Sequence, residues 1–102
     1  MCRADWTSIS DTNVLSGELR RFYDTTNSEY SGWEGRLTDC QAECTLSTTC
    51  TGVIIFRETY YNSDWHGLCF FIVGSATNFN IAYEAGVTSS LYNPYTITSA
   101  WV

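Results

Sequence analysis

Lysine is absent from this chain of 102 residues, whose five basic residues are all arginines. Eleven acidic residues bring the formal net charge to −6 at pH 7. Nucleic acids and anionic membranes are bound by basic surfaces, so this balance disfavours both as main partners. No apolar run approaches the roughly 18 residues of a membrane-spanning helix, and we expect no membrane span.

Residues suited to catalysis are also scarce. The chain has one histidine, and no Ser/His/Asp arrangement is recognisable by motif. A cysteine nucleophile would need a base beside it. Glu29, Glu34, Asp39 and Glu43 fall in a predicted loop and at a predicted helix start, where solvated and capping roles are usual. We therefore expect a protein that is not an enzyme and that needs no cofactor.

Metal ligands lack the required spacing. Zinc sites usually combine C-x2-C pairs with histidines, whereas this chain has no C-x2-C pair and His66 is its single histidine. The segment 24–29 offers oxygen ligands without the glycine that an EF-hand loop needs at its sixth position. We predict no metal site.

Apolar and aromatic residues, in contrast, are plentiful, at 44% and 16% of the chain. This content is enough to bury a core, and the length is that of a common single domain. We predict one domain over residues 1–102, with an N-terminal arm at 1–11 and a C-terminal strand or arm at 83–102.

The clearest helix signal starts at Thr38. Thr38 and Gln41 have the spacing of a capping box, in which the threonine is the N-cap and the glutamine is the third helical residue. The helix is expected to end near Leu46. Cys40 and Cys44 are four residues apart, so both sulfurs project from one face of this helix.

Two β-branched and apolar segments, 51–59 and 68–73, predict buried strands. The loop between them covers residues 60–67, so the two strands form an antiparallel hairpin with a long tip. A second hairpin is predicted from 12–19 and 20–23, around a turn at Ser16-Gly17. Weaker strands are predicted at 81–83 and 95–101.

Five cysteines in a short chain indicate an oxidising compartment, and hence a secreted protein. Cys44 can close a short loop with Cys50, and Cys40 can link the helix to the second buried strand through Cys69. These bonds would contribute about 2–2.5 and about 3.5 kcal/mol by loop entropy. Cys2 then has no intrachain partner. A free thiol and an intermolecular disulfide are the two alternatives for it.

Residues 35–73 resemble the PAN/apple domain family. The resemblance is carried by the Cys40-x3-Cys44 helix, by Cys50-Thr-Gly at the entry to the first buried strand, and by Gly67-Leu-Cys69 in the second. It implies an α+β fold in which an antiparallel sheet packs on one helix, with the disulfides Cys40–Cys69 and Cys44–Cys50.

The same resemblance implies a function. PAN/apple domains are not enzymes, and they bind proteins or carbohydrates, usually as modules of larger extracellular chains. Many members also join an N-terminal to a C-terminal cysteine. This chain departs from that pattern, because no cysteine after Cys69 can pair with Cys2, and the resemblance ends at Val73.

The loop at 57–66 is the predicted binding surface. It mixes aromatic rings with planar polar groups, a combination that suits both sugar recognition and the hot spots of protein interfaces. The expected partner is therefore an extracellular protein or a glycan. In the alternative interpretation Trp65 and Tyr61 fold back over the sheet. The predicted ligand-binding residues are Tyr60, Tyr61, Asp64, Trp65 and His66.

The tail supports a second hypothesis, a structural subunit of an extracellular filament or other homopolymer. An aromatic ribbon can add to the edge of a neighbour's sheet, and repeated head-to-tail contacts give filaments when they do not close. In the competing interpretation the tail is the last strand of its own sheet. The predicted assembly residues are Tyr92, Tyr95, Ile97 and Trp101.

Overall fold

The computed structural model describes residues 6–15, 18–25, 32–73, 78–92 and 96–99. These residues include the α-helix, a short 3-10 turn at Ser63–Trp65 and two β-sheets. The helix and strands, in chain order, are β1 Trp6–Ile9, β2 Thr12–Val14, β3 Glu18–Asp24, α1 Gly32–Thr45, β4 Cys50–Phe56, β5 Leu68–Val73, β6 Asn78–Tyr83, β7 Val87–Tyr92 and β8 Thr96–Ser99.

The larger sheet has the strand order β1-β7-β4-β5-β3, and every neighbouring pair in it is antiparallel. The smaller sheet has the order β2-β6-β8, with β2 and β6 antiparallel and β6 and β8 parallel. The described part of the chain is thus an α+β fold with mainly antiparallel sheets, as predicted.

The alternation of β4 divides the interior into two cores. Successive side chains of a strand point to opposite faces of its sheet. Val53 and Ile55 accordingly pack with the cysteines of α1 on one face. Ile54 and Phe56 pack on the other face against β2 and β6, through Val14 and Ile81. The larger sheet therefore lies between the helix and the smaller sheet.

Two disulfide bonds fix α1 to this sheet. Cys40 bonds to Cys69 in β5, with the two Cα atoms 6.3 Å apart. Cys44 bonds to Cys50 at the start of β4, with a Cα separation of 5.4 Å. The four sulfurs lie in the helix-side core, and the predicted pairing and the shared helix face are confirmed.

The predicted start of the helix is wrong. The helix begins at Gly32, and Thr38 lies inside it, where its hydroxyl donates to the carbonyl oxygen of Glu34 at 2.9 Å. The physical reason is an apolar stripe that starts before the capping-box pattern. Trp33 and Leu37 continue the cysteine face toward the N-terminus and pack on the helix-side core.

The predicted hairpin at 12–23 is also wrong. β2 pairs with β6 in the smaller sheet, whereas β3 pairs with β5 in the larger one. The predicted hairpin of β4 and β5 is confirmed. The two weaker strands are confirmed as well: β6 includes the predicted segment 81–83, and β8 lies within the predicted segment 95–101.

Strands β1 and β7 carry weak sequence signals. β1 lies in the segment expected as an N-terminal arm and pairs with β7, which lies within 83–102. β7 is buried although three of its residues, Thr88, Ser89 and Ser90, are polar. Its hydroxyl groups are accommodated by hydrogen bonds, such as that from Ser89 to the carbonyl oxygen of Thr12 at 2.7 Å.

The turn between β6 and β7 depends on a glycine. Gly86 has φ +85°, and a Cβ atom there would overlap the backbone of Tyr60. Gly32 has φ +73°, and a Cβ atom there would meet no atom of the described residues within 4 Å, so it provides a matched control. We expect Gly32→Ala to lower the free energy of unfolding by about 1 kcal/mol and Gly86→Ala by about 3 kcal/mol or more.

Urea denaturation of the two variants measures this difference. Equal losses would mean that the backbone of residue 60 moves aside freely, and the close packing of the turn on the loop would then have no energetic role.

Candidate functional site

The loop between β4 and β5 is held by its own hydrogen bonds. The amide of Gly67 donates to the carbonyl oxygen of Phe56 at 2.7 Å and closes the base of the loop. Asn62 caps the 3-10 turn, because its Oδ1 accepts from the amide of Asp64 at 3.0 Å. Nε2 of His66 lies 2.8 Å from the carbonyl oxygen of Tyr60. A carbonyl only accepts, so Nε2 carries the hydrogen.

Two other turns, at Asp11 and at Gly86, are hydrogen-bonded to each other, and the second is hydrogen-bonded to this loop. The amide of Arg57 donates to the carbonyl oxygen of Gly86 at 2.7 Å. Gly86 in turn donates to Oδ1 of Asp11 at 2.9 Å, and Glu84 donates to the carbonyl oxygen of Asp11 at 3.0 Å. The β1–β2, β4–β5 and β6–β7 connections, which are distant in sequence, are therefore held together by hydrogen bonds at this end of the sheets.

Five aromatic side chains form a continuous row across the loop and the sheet. The ring centroids of Tyr61 and Tyr60 are 4.7 Å apart, and Tyr60 meets Phe56 edge-on at 4.7 Å. Trp65 lies 5.1 Å from Phe56 and 5.9 Å from Phe70, nearly parallel to the latter. We call these five residues, Tyr61, Tyr60, Phe56, Trp65 and Phe70, the aromatic row.

The members of the row differ in exposure. Phe56 is buried, Tyr60 and Phe70 are half-buried, Trp65 is 39% exposed and Tyr61 is 87% exposed. The buried rings hold the row on the core, and the exposed rings present apolar area to solvent. Tyrosine and tryptophan are enriched at protein interfaces and in their hot spots.

The predicted ligand-binding residues thus lie together at one end of the molecule. Trp65 folds back onto Phe56 and Phe70, as the alternative interpretation has it for this residue, whereas Tyr61 projects into solvent. Asp64 is exposed, and the ring of His66 is turned to the backbone of Tyr60. Ligand binding by these residues stays a prediction.

Strand β3 extends this surface in a way that the sequence did not indicate. Arg21 is the cross-strand partner of Phe70, and Leu19 is the partner of Ile72. Paired residues of neighbouring strands share one face of a sheet. Leu19, 46% exposed, and Arg21, also exposed, therefore lie on the face that carries the aromatic row.

The electrostatics of the row keep Tyr60 protonated. Burial, a hydrogen bond with Tyr61 and the nearby carboxylate of Glu84 raise the pKa of Tyr60 from 10.0 to about 12. Glu84 is itself held in place, because Nδ2 of Asn13 donates to its Oε1 at 2.9 Å. Tyr60 therefore keeps its proton to a higher pH than an ordinary tyrosine does.

The predicted assembly residues are spread over separate places. Tyr92 ends β7, half-buried, with its ring 5.4 Å from that of Trp6 in a stacked arrangement. Ile97 belongs to β8, an outer strand of the smaller sheet, where its backbone is paired with that of Phe79. Three predicted residues lie outside the described part of the chain: Cys2, Tyr95 and Trp101.

The part of the chain that the structure describes lacks two other kinds of feature. No three His, Cys, Asp or Glu side chains gather there in a group that could hold a metal ion. No described helix is long and apolar enough to cross a membrane. The aromatic row can hold a partner by stacking and hydrogen bonding.

Comparisons of the chain with protein families, with curated proteins and with solved structures found no match.

The raised pKa of Tyr60 predicts a pH dependence of stability. Above pH 10 the unfolded chain releases this proton, while the folded chain keeps it until about pH 12. The free energy of unfolding therefore falls as the pH rises through this window, and the contribution is fully present below it. Urea midpoints at pH 9, 10 and 11 measure the slope.

Tyr60→Phe is expected to flatten this slope, because phenylalanine has no proton to release. Tyr83→Phe is the control, since Tyr83 is an exposed tyrosine outside the aromatic row. Equal slopes in the wild type and Tyr60→Phe would contradict the assignment.

Proposed function

We propose that this protein is a non-enzymatic extracellular adhesion or interaction domain of the PAN/apple type. Its partner is an extracellular protein or a glycan, and its contact surface is the aromatic row with the adjoining part of β3. The observation that carries the proposal is Tyr61, which is 87% exposed on a loop whose backbone is fixed by hydrogen bonds.

The exposed ring is informative because its loop is ordered. An aromatic side chain in water forfeits the free energy that burial would provide. Here Tyr60 supports the neighbouring ring at 4.7 Å, and the loop itself is anchored at Gly86 and Asp11. A preformed surface loses little conformational entropy on binding, which favours recognition.

The family and the compartment rest on other features. The family assignment rests on the sequence resemblance over residues 35–73, and a helix disulfide-bonded to β4 and β5 is the arrangement which that resemblance implies. The secreted location is supported by the same two bonds, because disulfides persist in oxidising compartments.

Exchange of Tyr61 tests the proposal. We expect Tyr61→Ala to weaken binding about 30-fold, as loss of an interface hot spot does, and to change the free energy of unfolding by less than about 0.5 kcal/mol. The measurement is binding to a glycan array and to a panel of purified extracellular proteins, with affinities then determined for each hit.

Tyr83→Ala is the matched control, because Tyr83 is also a strongly exposed tyrosine, 66% exposed, but lies on β6. Its affinity should equal that of the wild type. Equal affinities for Tyr61→Ala and Tyr83→Ala would remove the aromatic row from the binding surface.

The alternative function, a structural subunit of an extracellular filament or other homopolymer, is supported by the outer strands of the two sheets in the described part of the chain. β1 and β3 are the outer strands of the larger sheet, and β8 is an outer strand of the smaller one. Outer strands can pair with strands of a second copy.

Light scattering distinguishes the two functions. A binding module predicts particles of 11.5 kDa, whereas a filament subunit predicts far larger particles. Collapse of large particles on reduction, and in Cys2→Ser, would assign the assembly to an intermolecular disulfide. Large particles that survive reduction but not truncation after Tyr92 would assign it to the C-terminal segment.

A further inference from the structure

Asp11 has an unusual backbone conformation. It lies in the turn between β1 and β2 with φ +52°, and no other non-glycine residue in the described part of the chain has a positive φ. The left-handed region costs free energy for a residue with a Cβ atom, although aspartate tolerates it better than most residues do. Such residues cluster at functional sites, where the surrounding contacts hold them in place. The contacts of Asp11 lead to the aromatic row.

Both acceptor groups of Asp11 hold the turn between β6 and β7. Its Oδ1 accepts from the amide of Gly86 at 2.9 Å, and its carbonyl oxygen accepts from the amide of Glu84 at 3.0 Å. Asn13, two residues further along the chain, adds a bond from its Nδ2 to Oε1 of Glu84 at 2.9 Å. The β6–β7 turn is thus attached to the segment around Asp11 through its backbone and through a side chain.

The β6–β7 turn holds Tyr60 at two points. Gly86 packs so closely on the backbone of Tyr60 that a Cβ atom would overlap it. The carboxylate of Glu84 lies near the side chain of Tyr60. The carbonyl oxygen of Gly86 also accepts from the amide of Arg57 at 2.7 Å, at the start of the loop. Because the rings of Tyr60 and Tyr61 are in contact, at 4.7 Å, the turn also determines where the exposed ring is supported.

We propose that Asp11 is a positioning residue of the aromatic row. Its carboxylate fixes the turn at Gly86, and this turn fixes the backbone of residues 57–60 beside the exposed ring of Tyr61. The importance of this position for recognition rests on the function proposed for the aromatic row, whereas the positioning itself does not.

The backbone conformation alone does not require an aspartate. Glycine adopts a positive φ at no steric cost, but it lacks the oxygen that accepts from the amide of Gly86. Asparagine has the same Oδ1 acceptor and also tolerates the left-handed region. Asp11→Gly and Asp11→Asn therefore separate the hydrogen bond from the conformation. Asp11 is exposed, so both variants should fold.

Amide hydrogen exchange, measured by nuclear magnetic resonance on the intact protein, tests the proposal. We expect Asp11→Gly to accelerate exchange of the Arg57 amide at least about tenfold, the effect of losing a hydrogen bond to a charged group. The ring signals of Tyr61 should also move toward those of an unstructured tyrosine, because the contact with Tyr60 loosens. Asp11→Asn should keep the exchange rate and the ring signals of the wild type.

Thr51→Val is the control for a general loss of stability. Thr51 is buried at the other end of β4 from the loop, and its hydroxyl donates to the carbonyl oxygen of Ile72 at 3.1 Å. Loss of this bond should lower the urea midpoint, as Asp11→Gly does. The exchange rate of Arg57 and the signals of Tyr61 should nevertheless stay those of the wild type.

Three results would overturn the proposal. These are wild-type exchange of Arg57 and wild-type signals of Tyr61 in Asp11→Gly, equal changes in Asp11→Asn and Asp11→Gly, or the same changes in Thr51→Val. No ligand enters this experiment. The affinity of Tyr61→Ala tests the function of the row and the exchange of Arg57 tests its positioning, so each can fail without the other.

Discussion

Burial of β4 on both faces is the constraint on which the rest of the structure depends. Each residue from Cys50 to Phe56 is buried, and the strand pairs with β5 on one side and β7 on the other. A strand in this position needs a cover on each face. The helix provides one cover, held by Cys44–Cys50 and Cys40–Cys69, and the smaller sheet provides the other. The last residue, Phe56, is then both the end of the core and the base of the aromatic row.

Local patterns predicted the elements that apolar residues dominate. The C-terminal half of α1, the β4–β5 hairpin and the disulfide pairing follow from cysteine spacing and from runs of β-branched residues. β7 escaped prediction because Ser89 and Ser90 are buried through hydrogen bonds to Thr12 and Gln41, which are distant in sequence. The helix start was mispredicted because a capping-box pattern can also occur inside a helix. There the hydroxyl of Thr38 donates to the carbonyl oxygen of Glu34, in the preceding turn.

The candidate site likewise contains residues that local patterns predict and residues that they do not. Tyr61 and Trp65 are recognisable in the sequence because large aromatic side chains are unusual in a polar surface loop. The residues that fix and extend the loop do not stand out. Gly86 and Asp11 reach it through turns that join a strand of one sheet to a strand of the other, and Arg21 reaches it through the register of β3 against β5. Those relations are properties of the assembled sheets, so local sequence patterns carry no trace of them.

The two faces of the larger sheet carry different chemistry for a physical reason. The smaller sheet covers one face as far as Ile72, and beyond it the rings of Phe70 and Trp65 remain partly open. The helix is bound by its disulfides over β4 and β5, so a groove remains between it and Trp6 at the β1 edge. The helix and the smaller sheet thus each cover part of one face of the larger sheet.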